Sequence, residues 1–179
     1  DNDGIADLIW QLPTGQVYCW FMNDDGTRKS GAYLSTAVST WQLKAAGDID
    51  GDGIADLIWQ LRNGHAYCWF MNANGTMKSG FYLNGGATAW QVKAAGDIDG
   101  DGNADVIWQL STGQVYCWFM NANGTMRSGV YINGSATPWL VRGAGDIDGD
   151  GNADVIWQLP TGQVYCWFMN ANGTMRSGV

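Results

Sequence analysis

A period of 49 residues runs through the whole chain and constrains the fold more than any other feature of the sequence. The segment DGNADVIWQL at 101–110 recurs unchanged at 150–159. With 179 residues, the chain holds about 3.65 such repeats. One repeat of this length is a small unit that gains a core by packing against its neighbours, so we expect a stacked array. Among the tryptophans that follow the period are Trp10, Trp59, Trp108 and Trp157.

Each repeat contains four segments with the composition of short β-strands. In the repeat that begins at Trp90 they are 90–98, 104–110, 114–121 and 125–132, rich in β-branched and aromatic residues. A tight turn is expected after the second segment, and the Asn-Gly pair after the third predicts a type I′ hairpin. The third segment, QVYCWFMN, is apolar on both faces, so it must be covered on both sides.

No segment has helical character that could supply this cover, so sheets must stack on sheets. The sequence therefore predicts an all-β fold, a β-propeller-type array of four-stranded antiparallel blades. We expect residues 1–179 to form one repeat domain that is an incomplete ring, or part of a larger propeller or fibre. The expected blades are 1–34 (partial), 41–83, 90–132 and 139–179 (partial).

Negative charge is concentrated in a few loops of the chain. The formal net charge is -8, and all 17 acidic residues are aspartates. Only Asp24 and Asp25 lie outside the repeated loops. This balance argues against nucleic-acid binding, which needs a basic face, and no apolar run is long enough for a membrane span. The first residues lack the basic and apolar regions of a signal peptide, so we expect a mature protein or a fragment.

The repeated loop DxDxDGxxD predicts a cation site. Carboxylates stand at positions 1, 3, 5 and 9, an apolar residue at position 7 offers its carbonyl, and Gly53 allows the sharp turn. Calcium prefers six to eight hard oxygen ligands of this kind. The predicted ligands are Asp48, Asp50, Asp52, Ile54 and Asp56; Asp97, Asp99, Asp101, Asn103 and Asp105; Asp146, Asp148, Asp150, Asn152 and Asp154; and, in a partial first loop, Asp1, Asp3, Ile5 and Asp7.

We expect one Ca²⁺ per repeat, with three complete sites and one partial site. Magnesium is a weaker candidate because it retains its waters and prefers near-octahedral geometry. Zinc is weaker still, since the loops contain neither Cys nor His. The structural alternative is an Asp/Gly turn that binds nothing, but four close carboxylates without a cation would be unfavourable.

The loop is not an EF-hand, because Trp59, Trp108 and Trp157 stand where a bidentate Glu is needed. With its flanking strands AAGDI and LIW or VIW, it resembles the calcium loop of FG-GAP and VCBS-type repeats, which build β-propellers in integrin α-subunits and many secreted proteins. The resemblance covers nearly the whole chain. It implies that each loop joins the innermost strand of a blade to the second, and that the innermost strands begin at Trp41, Trp90 and Trp139. Propellers of this family usually have about seven blades, whereas this chain has fewer than four repeats.

Few other residues predict a further activity. The four cysteines occupy one position per repeat without a CxxC pattern, which favours buried free thiols. Most tryptophans are expected to pack between blades. Trp41, Trp90 and Trp139 follow variable loops and are the candidates for stacking on a glycan. His65 stands where other repeats have Gln, and no catalytic constellation is found, so we expect no enzyme.

Two functions follow as expectations. The first is a secreted, calcium-stabilised β-propeller scaffold or binding module that recognises a glycan or an extracellular partner. The alternative is a structural repeat protein that associates with itself into an extracellular fibre or larger oligomer. Both place the chain outside the cell or at its surface, where loops of modest calcium affinity would be filled.

Overall fold

The computed structural model describes residues 3–179, and these residues form four consecutive antiparallel sheets, here called blades 1 to 4. Blade 1 has three strands, β1 Leu8–Gln11, β2 Val17–Met22 and β3 Arg28–Ser35. Blade 2 consists of β4 Gln42–Gly47, β5 Asp56–Gln60, β6 Ala66–Met71 and β7 Met77–Asn84. Blade 3 consists of β8 Gln91–Gly96, β9 Asp105–Gln109, β10 Val115–Met120 and β11 Met126–Asn133. Blade 4 consists of β12 Leu140–Gly145, β13 Asp154–Gln158, β14 Val164–Met169 and β15 Met175–Gly178.

Each blade is a meander in which consecutive strands are neighbours. The first strands of blades 2, 3 and 4 lie side by side, with β8 in contact with both β4 and β12. The prediction of an all-β, propeller-type array of blades is confirmed. Residues 3–179 contain no helix that could cross a membrane.

The hydrophobic core lies between blades rather than within one sheet. One cluster joins Ile107 and Cys117 of blade 3 to Val155 and Trp157 of blade 4. A second joins blade 2 to blade 3 in the same way. The third, between blades 1 and 2, has only four buried members, because blade 1 lacks the first strand that its neighbours contribute. The strands that are apolar on both faces are therefore covered by the adjacent sheets, as their sequence requires.

The four cysteines are free thiols within this core. Cys19, Cys68 and Cys117 are buried, and Cys166 in blade 4 is half-buried. Burial raises the pKa of the Cys19 thiol to about 11, which keeps it protonated and unreactive. This agrees with their reading as small apolar core residues.

The hairpin after the third strand differs from the predicted type I′ turn. In blade 3, Asn121 N–H donates to Thr125 O at 2.9 Å, and Gly124 N–H donates to Asn121 O at 2.8 Å. Three residues, 122–124, therefore lie between the paired positions, where a type I′ turn has two. Gly124 has φ of +78°, as expected for the bulge residue that follows a type I turn. The Asn-Gly signal located the hairpin correctly, but the type I′ prediction was wrong.

Candidate metal centres and inter-blade clefts

Three clusters of aspartates lie at the loops that join the first strand of a blade to the second. In each cluster, one carboxylate oxygen per residue lies within 4.8 Å of the corresponding oxygens of the other two residues. The arrangement recurs in blades 2, 3 and 4, although the third member of the cluster in blade 3 comes from a different loop position. The clusters are Asp48, Asp50 and Asp56; Asp97, Asp99 and Asp101; and Asp146, Asp148 and Asp154.

The loop backbone is folded around its first aspartate. The Asp48 carboxylate accepts the N–H of Asp52 at 3.0 Å and that of Gly53 at 2.8 Å. Gly51 and Gly53 have φ of +71° and +85°, a region that side chains with a Cβ disfavour. The Asp/Gly alternation is therefore what allows the chain to turn its carboxylates toward one point.

The last aspartate of each loop, at position 9, anchors it to the sheet. Asp56 is fully buried, and its oxygens accept the N–H of Ile49 at 3.0 Å and of Met71 at 2.9 Å. Asp105 makes the corresponding bonds in blade 3. Burial raises the pKa of Asp56 to about 6 and that of Asp105 to about 7, against the opposing effect of the backbone donors. A bound cation would offset this cost of burying a negative charge.

The residues present fit a hard cation. Asp99 Oδ1 is buried and has no hydrogen-bond partner in residues 3–179, although buried carboxylate oxygens normally have one. The side chains that converge in each cluster offer only oxygen atoms, which is the donor set that Ca²⁺ prefers and zinc does not. These observations are compatible with a calcium site in each of the three loops.

A basic side chain from the fourth strand lies across each complete loop. Lys78 Nζ is 3.0 Å from Asp50 Oδ2 and 2.9 Å from Asp52 Oδ2. Arg127 pairs with Asp99 and Asp101, and Arg176 pairs in the same way in blade 4. These basic residues were not among the site residues predicted from the sequence. The signal was available, since a basic residue recurs here at the 49-residue period.

Neighbouring loops are also connected through their backbones. The N–H of Ala104 donates to Asp48 O, and the N–H of Ala153 donates to Asp97 O, each at 2.6 Å. The second half of one loop therefore rests on the first ligand residue of the preceding loop. A cation that orders one loop would consequently help to order the next.

The remaining predicted ligands are placed as follows. Asp52 Oδ1 accepts the N–H of Ile54 at 3.0 Å, and the Asn103 side chain donates to Asp101. In the partial loop, Asp3 pairs with Lys29 at 3.0 Å, and Asp1 lies outside the described residues. The roles of all the predicted ligands stay predictions, those of Ile5, Ile54, Asn103 and Asn152 as well as those of the aspartates.

The three tryptophans singled out for glycan stacking line three equivalent clefts. Each cleft lies between a loop that leaves one blade and an aromatic surface on the next. Their volumes are about 370, 460 and 410 Å³. One tryptophan per cleft was predicted from the sequence, whereas the other rings were not. The lining aromatic residues are Trp41, Trp59, Tyr67, Trp69 and Tyr82; Trp90, Trp108, Tyr116, Trp118 and Tyr131; and Trp139, Trp157, Tyr165 and Trp167.

Comparison with known proteins identifies the repeat. The family model for the FG-GAP-like repeat matches three times, over residues 1–59, 48–108 and 97–157. The second and third matches each run from the start of one aspartate loop, through the last three strands of that blade and the first strand of the next, to the strand after the next loop. A search of curated proteins found no match. Because the three matches cover most of the chain and recur at its 49-residue period, this protein belongs to the FG-GAP-like repeat family.

Proposed function

We propose that this protein is a calcium-stabilised β-propeller scaffold that acts outside the cell as a binding module and carries out no chemical reaction. The observation that carries the proposal is the recurrence of one carboxylate cluster at the same place in three successive blades. Carboxylates brought this close repel one another, and the lysine or arginine at each loop neutralises only part of the charge. Three divalent ions would offset six of the eight formal negative charges.

The chemistry of the loops supports the proposed extracellular location. Extracellular calcium modules bind with Kd of about 10⁻⁴–10⁻³ M, and such sites fill where calcium is millimolar. An ion that binds only the folded chain stabilises it by about 1.4 kcal/mol per site when its concentration is ten times Kd. Three sites of this kind would contribute substantially to the stability of one domain.

Calcium titration by isothermal calorimetry, together with melting curves in calcium and in EDTA, tests the proposal. We expect three ions per chain and a melting temperature lower by many degrees in EDTA. Asp99→Asn removes a ligand charge and should lower the stoichiometry to two. Asp24→Asn, on an exposed turn outside every loop, is the matched control and should leave it at three. An EDTA melt equal to that in calcium would refute the calcium scaffold.

A glycan is the partner that we propose for the module. The support is the set of three aromatic clefts, each of which contains a tryptophan preceded by a variable loop. A glycan array probed in calcium and in EDTA tests this. Calcium-dependent binding to a defined set of glycans is expected, and no binding under either condition would argue against glycan recognition.

Self-association into a fibre or larger oligomer is a second candidate, favoured by the faces at the two ends of the array. Val164 of blade 4 is 62% exposed, whereas its counterpart Val115 in blade 3 is fully buried. Trp10 of blade 1 is 50% exposed, whereas Trp108 is 2% exposed. These residues belong to surfaces that are covered by a neighbouring blade elsewhere in the molecule. Filaments with a repeating blade spacing in negative-stain images would favour this candidate.

A further inference from the structure

The floor of each cleft is a surface of aromatic rings on one blade. In blade 3 the rings of Trp108 and Trp118 lie 4.8 Å apart at 47°, and Tyr116 and Tyr131 lie 4.8 Å apart at 74°. Trp90 approaches Tyr116 at 6.2 Å and closes the group. Blade 2 repeats this arrangement, with the corresponding ring pairs at 4.8, 4.8 and 6.2 Å. The rings therefore form a surface of fixed shape rather than scattered exposed aromatics.

The roof of each cleft is a loop that is fixed to the preceding blade. Thr88 N–H donates to Asn63 O at 3.0 Å, so the loop rests on the turn that contains Gly64. A Cβ at Gly64 would lie 2.2 Å from Thr88 O, which shows how closely the two backbones approach. Equivalent bonds join Ser39 to Thr14 and Thr137 to Thr112. Each cleft is thus preformed between two blades, which lowers the ordering cost of binding.

The polar groups at these clefts are uncharged. The Thr88 hydroxyl accepts the N–H of Trp90 at 3.2 Å, and its own O–H can donate to a ligand. The indole nitrogens of Trp59, Trp108 and Trp157 are buried, so the accessible polar groups are those of the roof. No Lys, Arg, Asp or Glu lines any of the three clefts. The hydroxyl and amide groups of the roof suit a ligand that carries hydroxyls, and the absence of charge disfavours an ionic ligand.

We infer that the three clefts are equivalent binding sites for a neutral pyranose, one sugar ring in each. This inference rests on the proposed glycan recognition and names its sites and ligand class. A pyranose presents an apolar C–H face to the aromatic floor, and its hydroxyls match the hydroxyl and amide groups of the roof. The volumes of the three clefts, about 370, 460 and 410 Å³, lie in the lower part of the range for small-molecule sites. A quaternary ammonium group would also be attracted to the rings, but it would leave the polar donors unused.

Isothermal calorimetry with methyl pyranosides tests the inference on the intact, calcium-loaded chain. We expect saturable binding of an uncharged methyl pyranoside at three sites, with glucuronate and choline binding at least tenfold more weakly. Tyr131→Ala and Tyr82→Ala each remove an exposed ring from one cleft. By comparison with the loss of an aromatic ring on which a nucleic-acid base stacks, one site of three should weaken by about tenfold or more.

Tyr33→Ala is the matched control. Tyr33 is 57% exposed, against 59% for Tyr82 and 56% for Tyr131, and it occupies the same place in blade 1 without lining any of the three clefts. The Tyr33→Ala change should leave the affinity of all three sites unchanged. Equal melting temperatures would show that all variants are folded. Unweakened calorimetric binding at all three sites in both cleft variants, with binding on the glycan array retained, would overturn the cleft assignment while recognition stands. Preferential binding of choline or glucuronate would overturn the ligand class, and no glycan binding at all would overturn recognition as well.

Discussion

The aspartates at position 9 of the loops combine burial with negative charge. Asp56 and Asp105 each accept two backbone N–H groups, which favours the ionised form, but their burial raises the pKa to about 6 and about 7. Without a cation, the folded chain holds these protons at pH values where the unfolded chain has released them. If calcium binds as proposed, it and protons would compete for these carboxylates.

The stability of the calcium-depleted chain is expected to fall as the pH rises from about 4 to about 7. An aspartate in the unfolded chain ionises near pH 3.9. Between that value and the raised pKa values of Asp56 and Asp105, the folded state binds more protons, so their contribution decreases with rising pH. Calcium should flatten or reverse this slope, because it binds the ionised form.

Melting temperatures between pH 4.5 and 7.5, with and without calcium, measure this dependence. The double variant Asp56→Asn/Asp105→Asn is the reference, since it lacks both titrating groups. A calcium-depleted protein whose melting temperature, relative to this variant, rises with pH over that range would contradict the prediction.

Two turn glycines, Gly113 and Gly162, distinguish the cost of backbone strain from the cost of a steric clash between blades. Gly113 and Gly162 have φ of +106° and +100°, so alanine is strained at both positions. A Cβ at Gly113 would lie 2.2 Å from Thr137 O in the next cleft loop, whereas a Cβ at Gly162 would have nothing within 4 Å. We expect Gly113→Ala to reduce the free energy of unfolding by about 1–3 kcal/mol more than Gly162→Ala, as measured by urea unfolding. Equal losses of unfolding free energy in the two variants would show that the loop around Thr137 can shift at no measurable cost.

At the scale of the strand, one buried glutamine joins each blade to the next. Gln109, at the end of β9, donates to Trp139 O at 2.8 Å and accepts the N–H of Val141 at 3.1 Å. Gln60 makes the same two bonds to blade 3. The side chain therefore continues the hydrogen bonding of one sheet into the first strand of its neighbour. A repeated Gln after an apolar strand gives no indication of this in the sequence.

Gln109→Ala should be much more destabilising than Gln158→Ala. The first change leaves the Val141 N–H and the Trp139 carbonyl without their partner, at an expected cost of about 2–4 kcal/mol. Gln158 instead accepts from Arg142 at 3.1 Å within its own blade, so its loss should cost under about 1 kcal/mol. Urea unfolding of both variants measures the difference. Equal effects would mean that the bond between blades adds little.

The sequence predicted the elements better than their contacts. Strand alternation, turn residues and the 49-residue period located the blades and the aspartate loops, because these depend on local chemistry that recurs. Contacts between repeats could not be assigned in this way. Because the repeats are nearly identical, the sequence does not show which neighbouring repeat a given residue contacts. The hydrogen bonds of Gln109 to the next blade and the aromatic rings around Trp90 therefore could not be predicted from the pattern. The hairpin type was missed because Asn-Gly also suits a turn with a bulge.

At the scale of the whole molecule, each blade has two different faces, and one face of a blade always packs against the opposite face of the next. Ile49 and Ile98 are fully buried against the following blade, whereas Ile147 of blade 4 is 51% exposed. Gly47 and Gly96 approach alanines of the next blade, while Gly145 has nothing within 4 Å of a Cβ. The exposed face of blade 4 is thus chemically the same surface that elsewhere forms an interface. The face that blade 1 exposes around Trp10 corresponds to the face that, in the other blades, packs against this surface of the preceding blade.

Val164 tests whether these two faces meet in solution. Val164→Asp places a charge where an interface between blades would bury it, so association through this face should be lost. Because Val164 is 62% exposed, the same change should leave the melting temperature of the single chain within about 1–2 °C, as is usual for surface substitutions. Sedimentation velocity at rising protein concentration shows whether the native chain associates and whether Val164→Asp abolishes that association. Association in the native chain that disappears in Val164→Asp, but persists in a control such as Val38→Asp on an exposed loop, would assign the contact to the end faces. Association that is equal in all three proteins would place it elsewhere on the molecule.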